Sequence, residues 1–355
     1  MKKKERRSPQ KDHWSLRKGR WSRKKGLAWI VAAAVLAAVS LCAGRYPGTG
    51  RQLYQAVFDR AALAAENPQA AVILRVVFQI RLPRILFALA AGAGLAAAGS
   101  AMQAVCANPL ATPDTVGVAN GASFGAAFAI LAGMDGLGIQ LTAMAAGMAA
   151  FGLAAAIGSR GTGNPVLRLV LSGMVVSSLF AALLSLVKYV ADPQDKLPEI
   201  THWLMGSLNT VTWQNVRTGI GWIAAGSGLI WLLRWKLNAL MLSEEEARSL
   251  GVHTVIVRVL AAAAAAAATS AVVAACGQIG WIGLLIPHVC RMRYGNDCRQ
   301  TVPAGMCAGA VFLLLIDTAA RSIAAAEIPA AILTAAVGAP LFLFCLQKSG
   351  LDGRA

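Results

Sequence analysis

The sequence predicts an all-α, polytopic membrane protein with about ten transmembrane helices, and two observations support this prediction. Of the 355 residues, 57% are hydrophobic, the mean hydropathy is +0.59 and only 14% are charged, whereas a soluble domain has roughly a quarter charged residues. Several apolar segments also reach the length of about 20 residues that a helix needs to cross a bilayer. Most of the chain is therefore expected to lie in a membrane.

Hydropathy and helix-breaking residues place the predicted spans. They are expected at about 27–44, 81–104, 115–133, 138–158, 165–190, 219–235, 255–275, 279–292, 302–316 and 328–346. The chain is thereby divided into a basic N-terminal tail (1–25), a transmembrane domain (26–348) and a short C-terminal tail (349–355). Eight consecutive alanines at 261–268 indicate a thin helix face that allows close helix packing.

The N-terminal tail is strongly basic. It carries twelve Lys and Arg but only Glu5 and Asp12 as acids, a net charge of +10. Beside a transmembrane span this favours the cytoplasmic side and contact with anionic lipid, rather than binding of nucleic acid. With ten spans both termini are then cytoplasmic. The first apolar segment is too long for a signal peptide and lacks a clear cleavage site, so we predict a retained helix.

Motifs of enzymes and of ion-coupled carriers are not found. The sequence has no Gly-Lys dipeptide, which excludes a P-loop. Its four histidines and seven cysteines form neither a C-x-x-C pair nor a catalytic cluster. Lys188 and Asp317 are expected near helix ends, and no mid-span carboxylate suggests a proton- or sodium-coupled carrier. We predict no catalytic activity, cofactor or metal site; a secondary carrier or channel stays open, and a membrane enzyme is the third alternative.

A short charged segment, LSEEEARSLG, lies in the loop 236–254, which is predicted to face the cytoplasm. Its helix-defining residues are an N-cap, three acids, a cation that could pair with the first acid, and a terminating glycine: Ser243, Glu244, Glu245, Glu246, Arg248 and Gly251. The N-cap and the third acid have the spacing of a capping box, and acids in the first turn suit the helix dipole. The segment predicts a helix of about two turns. It is either a solvated connection or, as we favour, a rigid peg for a cytoplasmic partner.

Proline and glycine interrupt the chain near two predicted span ends, in ANPLATPDTVGVANG and CGQIGWIGLLIPHVCR. The residues concerned are Asn108, Pro109, Pro113, Gly280, Gly283 and Pro287. Irregular backbone at membrane depth must be buried in protein or line a cavity. These breaks are therefore predicted to lie inside the protein.

Six motifs, in a fixed order, resemble the permease subunits of ATP-binding-cassette importers for iron-siderophores, haem and vitamin B12, the FecCD-like family. They are RLPR (81–84), NPLATPDTVGVANGASFGA (108–126), HWLMGSL (202–208), LSEEEARSLGV (242–252), GQIGWIGLLIPHVCRMRYGNDCR (277–299) and DTAARSIAAAEIPAAILTAAVGAPLF (317–342). The resemblance covers nearly everything after about residue 75. The basic tail lies outside it.

The resemblance implies a type II importer permease-like fold in the bacterial cytoplasmic (inner) membrane. It implies three partners: a second permease subunit, identical or different, a cytoplasmic ATP-binding-cassette ATPase, and an extracytoplasmic substrate-binding protein. The loop that contains Ser243 and Gly251 matches the family's coupling element for the ATPase. Arg81, Arg84 and Arg321 match its outer arginines that dock the binding protein, and interfacial snorkelling is the alternative for Arg81 and Arg84.

The resemblance also implies a cargo and a pathway. The expected cargo is a ferric siderophore-type chelate, with cobalamin or haem as the alternative. The helix breaks would lie near a pathway lined by the second, fifth, eighth and tenth helices, with mostly small and apolar side chains. Gln278 stands where the family is expected to have proline, and RMRYGND (291–297) is unusually basic. Because the sequence holds no ligand set that selects among the chelates, these departures leave the cargo open.

Overall fold

The computed structural model describes residues 21–44, 52, 54–56, 69–161, 163–324 and 326–349. Within these ranges the regular structure is helical, and no β-strand is formed. Most of the predicted basic tail and all but the first residue of the predicted C-terminal tail lie outside the described residues.

The main helices follow one another along the chain. They are α1 (Arg23–Cys42), α2 (Ala70–Val105), α3 (Val118–Leu131), α4 (Gly136–Ser159), α5 (Pro165–Val190), α6 (Lys196–Leu204), α7 (Trp213–Leu237), α8 (Glu244–Ser249), α9 (Thr254–Cys276), α10 (Ile282–Tyr294), α11 (Cys298–Ala320) and α12 (Ala330–Ser349). Among the described residues, eight are long and apolar enough to cross a membrane: α1, α2, α4, α5, α7, α9, α11 and α12.

The two remaining predicted spans are short helices. α3 has 14 residues and α10 has 13, so each rises only about 20 Å, whereas the hydrocarbon core is about 30 Å thick. Both begin at the predicted helix breaks. All ten predicted spans are therefore present as helices, and these two start part of the way through the bundle.

The start of α2 differs from the prediction. The helix begins at Ala70, well before RLPR, and includes a π-helical segment, Val76–Arg81, in which the N–H of Leu82 donates to the carbonyl of Val77. This wider turn precedes Pro83, which has no N–H to donate. The prediction failed because two arginines and a proline are typical of a helix end, whereas here the arginines are buried.

Small residues set the packing of the bundle. Gly92 of α2 lies against Gly309 of α11, and Gly99 of α2 lies against Gly283 of α10; a Cβ atom at Gly99 would come 1.9 Å from the Gly283 carbonyl oxygen. The polyalanine stretch of α9 packs against α2, α4 and α7 with most of its alanines buried. The predicted close packing of this stretch is therefore confirmed.

The chain direction distinguishes two ends of the bundle. Trp21, which precedes α1, packs edge-on against Tyr294 with ring centroids 5.4 Å apart, and its backbone N–H donates to Gln300 Oε1 at 2.8 Å. The last residues of α1 instead contact Arg321 at the end of α11. We call the first end inner, because the basic tail precedes Trp21, and the second end outer.

Candidate functional site

The predicted capping box at the start of α8 is present. The Glu246 N–H donates to Ser243 Oγ at 3.3 Å, and the Ser243 N–H donates to Glu246 Oε2 at 3.0 Å. These hydrogen bonds, with the backbone contribution first, hold the pKa of Glu246 below its usual value. Gly251 has φ +70°, and its N–H donates to the Arg248 carbonyl, so the glycine stop is also present. The predicted local helix is confirmed.

The surface of α8 is open to solvent. Ala247 is its one buried residue, whereas the three glutamates and Arg248 are exposed. Among the described residues the suggested Glu244–Arg248 ion pair is not formed, because two exposed, flexible side chains gain little free energy from pairing in water. Large apolar side chains flank the acids, with Leu242 47% and Leu250 64% exposed. Acids framed by apolar side chains on a small rigid helix suit a protein interface.

One amide links this region to another helix. Asn238, one residue beyond α7, donates from Nδ2 to Asp297 Oδ1 at 2.8 Å and accepts from the Cys298 N–H at 2.7 Å. Partial burial alone would raise the pKa of Asp297, but hydrogen bonds from Asn238 and Arg299 hold it below its usual value. The segment before α8 is therefore tied to the first turn of α11. We did not predict this link from the sequence, since 59 residues separate Asn238 and Asp297.

At the outer end, five charged side chains form what we call the outer ionic cluster: Arg81, Arg84, Asp317, Arg321 and Glu327. Arg84 Nε lies 2.8 Å from Asp317 Oδ1, and Arg84 Nη1 lies 2.9 Å from Glu327 Oε2. Arg321 Nε lies 3.7 Å from Asp317 Oδ2. Asp317 is completely buried, and Arg84 and Arg321 are each 4% exposed.

This cluster was not expected from the sequence, in which no charged cluster was found. Asp317 lies near the end of α11, as expected, but it is buried, and ionisable residues assemble between helices. The cluster escaped prediction because Arg84 and Asp317 are 233 residues apart in the sequence. They meet because α2 and α11 pack closely side by side.

The same arginines hold the outer end of α1. Arg81 donates to the carbonyl of Leu41, and Arg321 donates to the carbonyls of Ser40 and Ala43 and to the Ser40 hydroxyl. A helix C-terminus leaves its last carbonyls without intrahelical partners and carries partial negative charge. The arginines predicted to dock a binding protein therefore already have partners within this chain, and their docking role stays a prediction.

Three of the six predicted helix-break residues lie together in the structure. Pro113, Gly280 and Gly283 line one cavity of about 230 Å³ between α2, α3, α5, α9 and α10. The other three predicted break residues, Asn108, Pro109 and Pro287, do not line it. We call this space the break cavity.

The break cavity differs from the expected pathway in its helices and its chemistry. It is lined by the predicted second, fifth and eighth helices, but α12, the predicted tenth, does not line it. Six polar side chains also line it beside the expected small and apolar ones: Thr112, Asp114, Asn120, Ser177, Thr269 and Gln278. Gln278, in the expected proline position, donates to Ser123 Oγ of α3 at 2.7 Å.

A second cavity, of about 330 Å³, lies beside the HWLMGSL motif. Glu199, His202 and Trp203 of α6 line it together with Asn215 of α7. Within the described ranges no three His, Cys, Asp or Glu side chains come together as a metal site. The cavity therefore offers polar walls without a metal-ligand set.

Comparison with known proteins identifies the family. The profile of the FecCD transport family matches residues 31–348. The molybdate import permease of Haemophilus influenzae is 38% identical, over 90% of this chain and 94% of its own. A permease of Helicobacter pylori named for iron chelatin transport is 35% identical, over 80% and 86% of the two chains. The vitamin B12 import permease of Salmonella typhi is 37% identical, over 77% and 84%.

A solved structure has the same architecture. An inward-facing transporter described as metal-chelate type superposes with a TM-score of 0.83 and is 37% identical, over 92% of this chain and 100% of its own. This chain belongs to the FecCD transport family, and it is a multi-pass permease of an ATP-binding-cassette importer.

Proposed function

We propose that this permease imports a ferric siderophore-type chelate, driven by ATP hydrolysis in a separate ATPase that docks on α8. The observation that carries the coupling role is α8 itself: a capped, solvent-exposed acidic helix tied by Asn238 to α11. Two similar proteins support the cargo, one named for iron chelatin and one described as metal-chelate type.

A free oxyanion is the second candidate cargo. The relative named for molybdate import is matched over 94% of its length, whereas the relatives named for iron chelatin and vitamin B12 are matched over 86% and 84%. The six polar side chains of the break cavity also suit a hydrogen-bonding cargo better than an inert one. Cobalamin or haem stays the alternative within the chelate class.

Two further partners belong to the proposal. A second permease subunit, identical or different, would cover the apolar faces of α5 and α12, where Met174, Val175 and Phe344 are among the exposed side chains. An extracytoplasmic binding protein would dock at the outer ionic cluster. Glu327 is the most accessible acid there, with 26% of its side chain exposed, and it is bound to Arg84. An acidic group of the binding protein would displace Glu327 and pair with Arg84 in its place.

Uptake into proteoliposomes tests the proposal. The chain is reconstituted with its ATPase and binding protein, and ATP-dependent uptake of a ferric siderophore, cobalamin, haem and molybdate is measured in parallel. We expect ferric siderophore to accumulate only with ATP. Accumulation of molybdate alone would show that the cargo is an oxyanion and not a ferric chelate. Full uptake by the lone chain without the ATPase would show that it is a secondary carrier.

A further inference from the structure

We propose that the break cavity binds negatively charged oxygen atoms of the cargo, either as a free oxyanion or as the carboxylate of a ferric chelate. The inference takes one assumption from the proposed function, namely that the chain imports an oxygen-rich anionic cargo. It adds the binding site and its recognition chemistry.

Two helix N-termini meet at the cavity. Ala119 and Asn120 belong to the first turn of α3, and Gly283 and Leu284 belong to the first turn of α10, and all four line the space. A helix N-terminus carries partial positive charge and backbone N–H groups without intrahelical acceptors. At α10 the Leu284 N–H already donates to the Trp281 carbonyl at 3.1 Å, so this residue contributes through the partial positive charge of the helix terminus. Half-helices whose N-termini face a cavity within a membrane favour an anionic group there.

The cavity lies at membrane depth. Thr269 precedes the outer end of α9, Cys276, by seven residues, which is about 10 Å along the helix. Ser177 follows the inner end of α5, Pro165, by twelve residues, which is about 18 Å. Both side chains therefore lie well inside an apolar layer of about 30 Å, where an unpaired polar group is costly.

Thr269 supplies independent evidence for a ligand. It is 3% exposed and lines the cavity, and its hydroxyl has no hydrogen-bond partner in the described part of the chain. Buried helical hydroxyls such as those of Ser100 and Ser227 donate to the carbonyl four residues earlier, at 2.9 and 2.6 Å. Among the described residues Thr269 and its neighbour Ser270 make no such bond, and of these two only Thr269 lines the cavity. A hydroxyl at the cavity wall without such a bond is a donor available to a bound acceptor.

A second hydroxyl lies across the cavity. Asn120 Nδ2 donates to Ser177 Oγ at 2.7 Å, so this oxygen acts as acceptor and its proton can be donated elsewhere. The donors are thus neutral hydroxyls and helix termini rather than Lys or Arg. Weak neutral donors suit a transport site, because a cargo must leave as readily as it enters.

Asp114 opposes the bound charge. It is the one charged side chain among the described residues that line the cavity, and it is exposed. A carboxylate repels an anion, so its presence lowers anion affinity and favours release. Removing its charge should therefore strengthen anion binding but weaken the binding of a cation.

The size of the cavity limits its occupant. Its volume of about 230 Å³ is below the roughly 300–1,000 Å³ of pockets that enclose drug-sized ligands. A tetrahedral oxyanion, or one carboxylate arm of a chelate, fits this space, whereas a whole siderophore does not. The cavity would therefore enclose a free oxyanion completely, but it would contact only one carboxylate group of a chelate.

Equilibrium dialysis of the full chain in lipid nanodiscs tests the inference, with molybdate and ferric citrate as probes. Three variants are compared with wild type: Thr269→Val, Asp114→Asn and the control Ser270→Ala. Ser270 is also buried, and its hydroxyl has no hydrogen-bond partner among the described residues, but it packs against Gly147 and does not line the cavity. Thermal unfolding of each variant shows that it is folded.

We expect Thr269→Val to weaken probe binding about ten-fold, as for loss of a hydrogen bond to a charged group. Asp114→Asn should tighten binding, and Ser270→Ala should leave it unchanged. Binding of molybdate alone assigns a free oxyanion, and binding of ferric citrate alone assigns the carboxylate of a chelate. If neither probe binds, if Thr269→Val behaves like Ser270→Ala, or if Asp114→Asn weakens binding, the site is overturned. If the variants bind the probes as wild type does while the wild-type transporter still takes up its cargo, the proposed site is wrong but the proposed function stands.

Discussion

The inner and outer ends of this permease use charge in opposite ways. At the inner end, α8 presents three exposed glutamates, and within the described part of the chain Glu246 alone is engaged, in the capping box. At the outer end, Asp317 is completely buried between Arg84 and Arg321, and these arginines hold Glu327 and the end of α1. Exposed charges can change partners at little cost, whereas buried charges depend on each other. The inner end is therefore suited to reversible docking and the outer end to holding helices together.

The largest effect is expected from Asp317→Asn. The change leaves Arg84 and Arg321 buried without their shared carboxylate, which costs about 3–5 kcal/mol when one partner of a buried pair is removed. Thermal unfolding in detergent measures the loss, and Glu199→Gln, at an exposed acid, is the control. Equal melting temperatures for the two variants would show that the outer cluster is not structural.

A smaller effect is expected from Glu327→Gln. It removes the charge that Glu327 places 2.9 Å from Arg84 Nη1 but keeps Asp317 in place. If a binding protein docks on Arg84, this variant should bind it several-fold more tightly, because one competing acid is lost. Surface plasmon resonance measures the change in affinity. Weaker or unchanged binding would show that the binding protein does not dock on Arg84 in competition with Glu327.

The smallest effect is expected from Ser243→Ala, which removes the N-cap of α8. Loss of such a cap costs about 1 kcal/mol of local helix stability, and amide hydrogen exchange of α8 should accelerate while that of α9 is unchanged. Acid should also weaken the cap, seen as a lower protection factor of α8, that is, faster exchange relative to the intrinsic rate at the same pH. Because the pKa of Glu246 is lowered in the folded state, its stabilisation is present above the unfolded pKa and is lost as pH falls through the folded one. Protection factors in α8 that are unaffected by either change would contradict the capping account.

Local chemistry explains which parts of the structure could be predicted. α5 begins and ends at the predicted residues, because Asn164 caps it and Pro165 occupies its first position. α8 was equally predictable, since its cap, acids and terminal glycine lie within ten residues. In both segments the deciding interactions are between neighbours in the sequence.

Tertiary packing explains what could not be predicted. The outer ionic cluster depends on α2 and α11 approaching at Gly92 and Gly309, and no sequence pattern pairs Arg84 with Asp317. Tertiary packing also explains the early start of α2. RLPR is typical of a helix end where its arginines face water, but here the arginines are buried and the helix continues through the motif. The break cavity was predicted as broken backbone, but its walls combine residues of five separate helices. Its polar side chains come from α3, α5, α9 and the segments that precede α3 and α10.

Co-purification of the ATPase tests the central claim most directly, namely that α8 couples this permease to a separate motor. The double variant Glu244→Lys, Glu245→Lys reverses two exposed charges without touching the capping box, and Glu199→Lys reverses an exposed acid away from α8. We predict that the double variant folds and loses the ATPase, whereas the control retains it. Retention of the ATPase by the double variant, with unchanged ATP-driven uptake, would contradict the account.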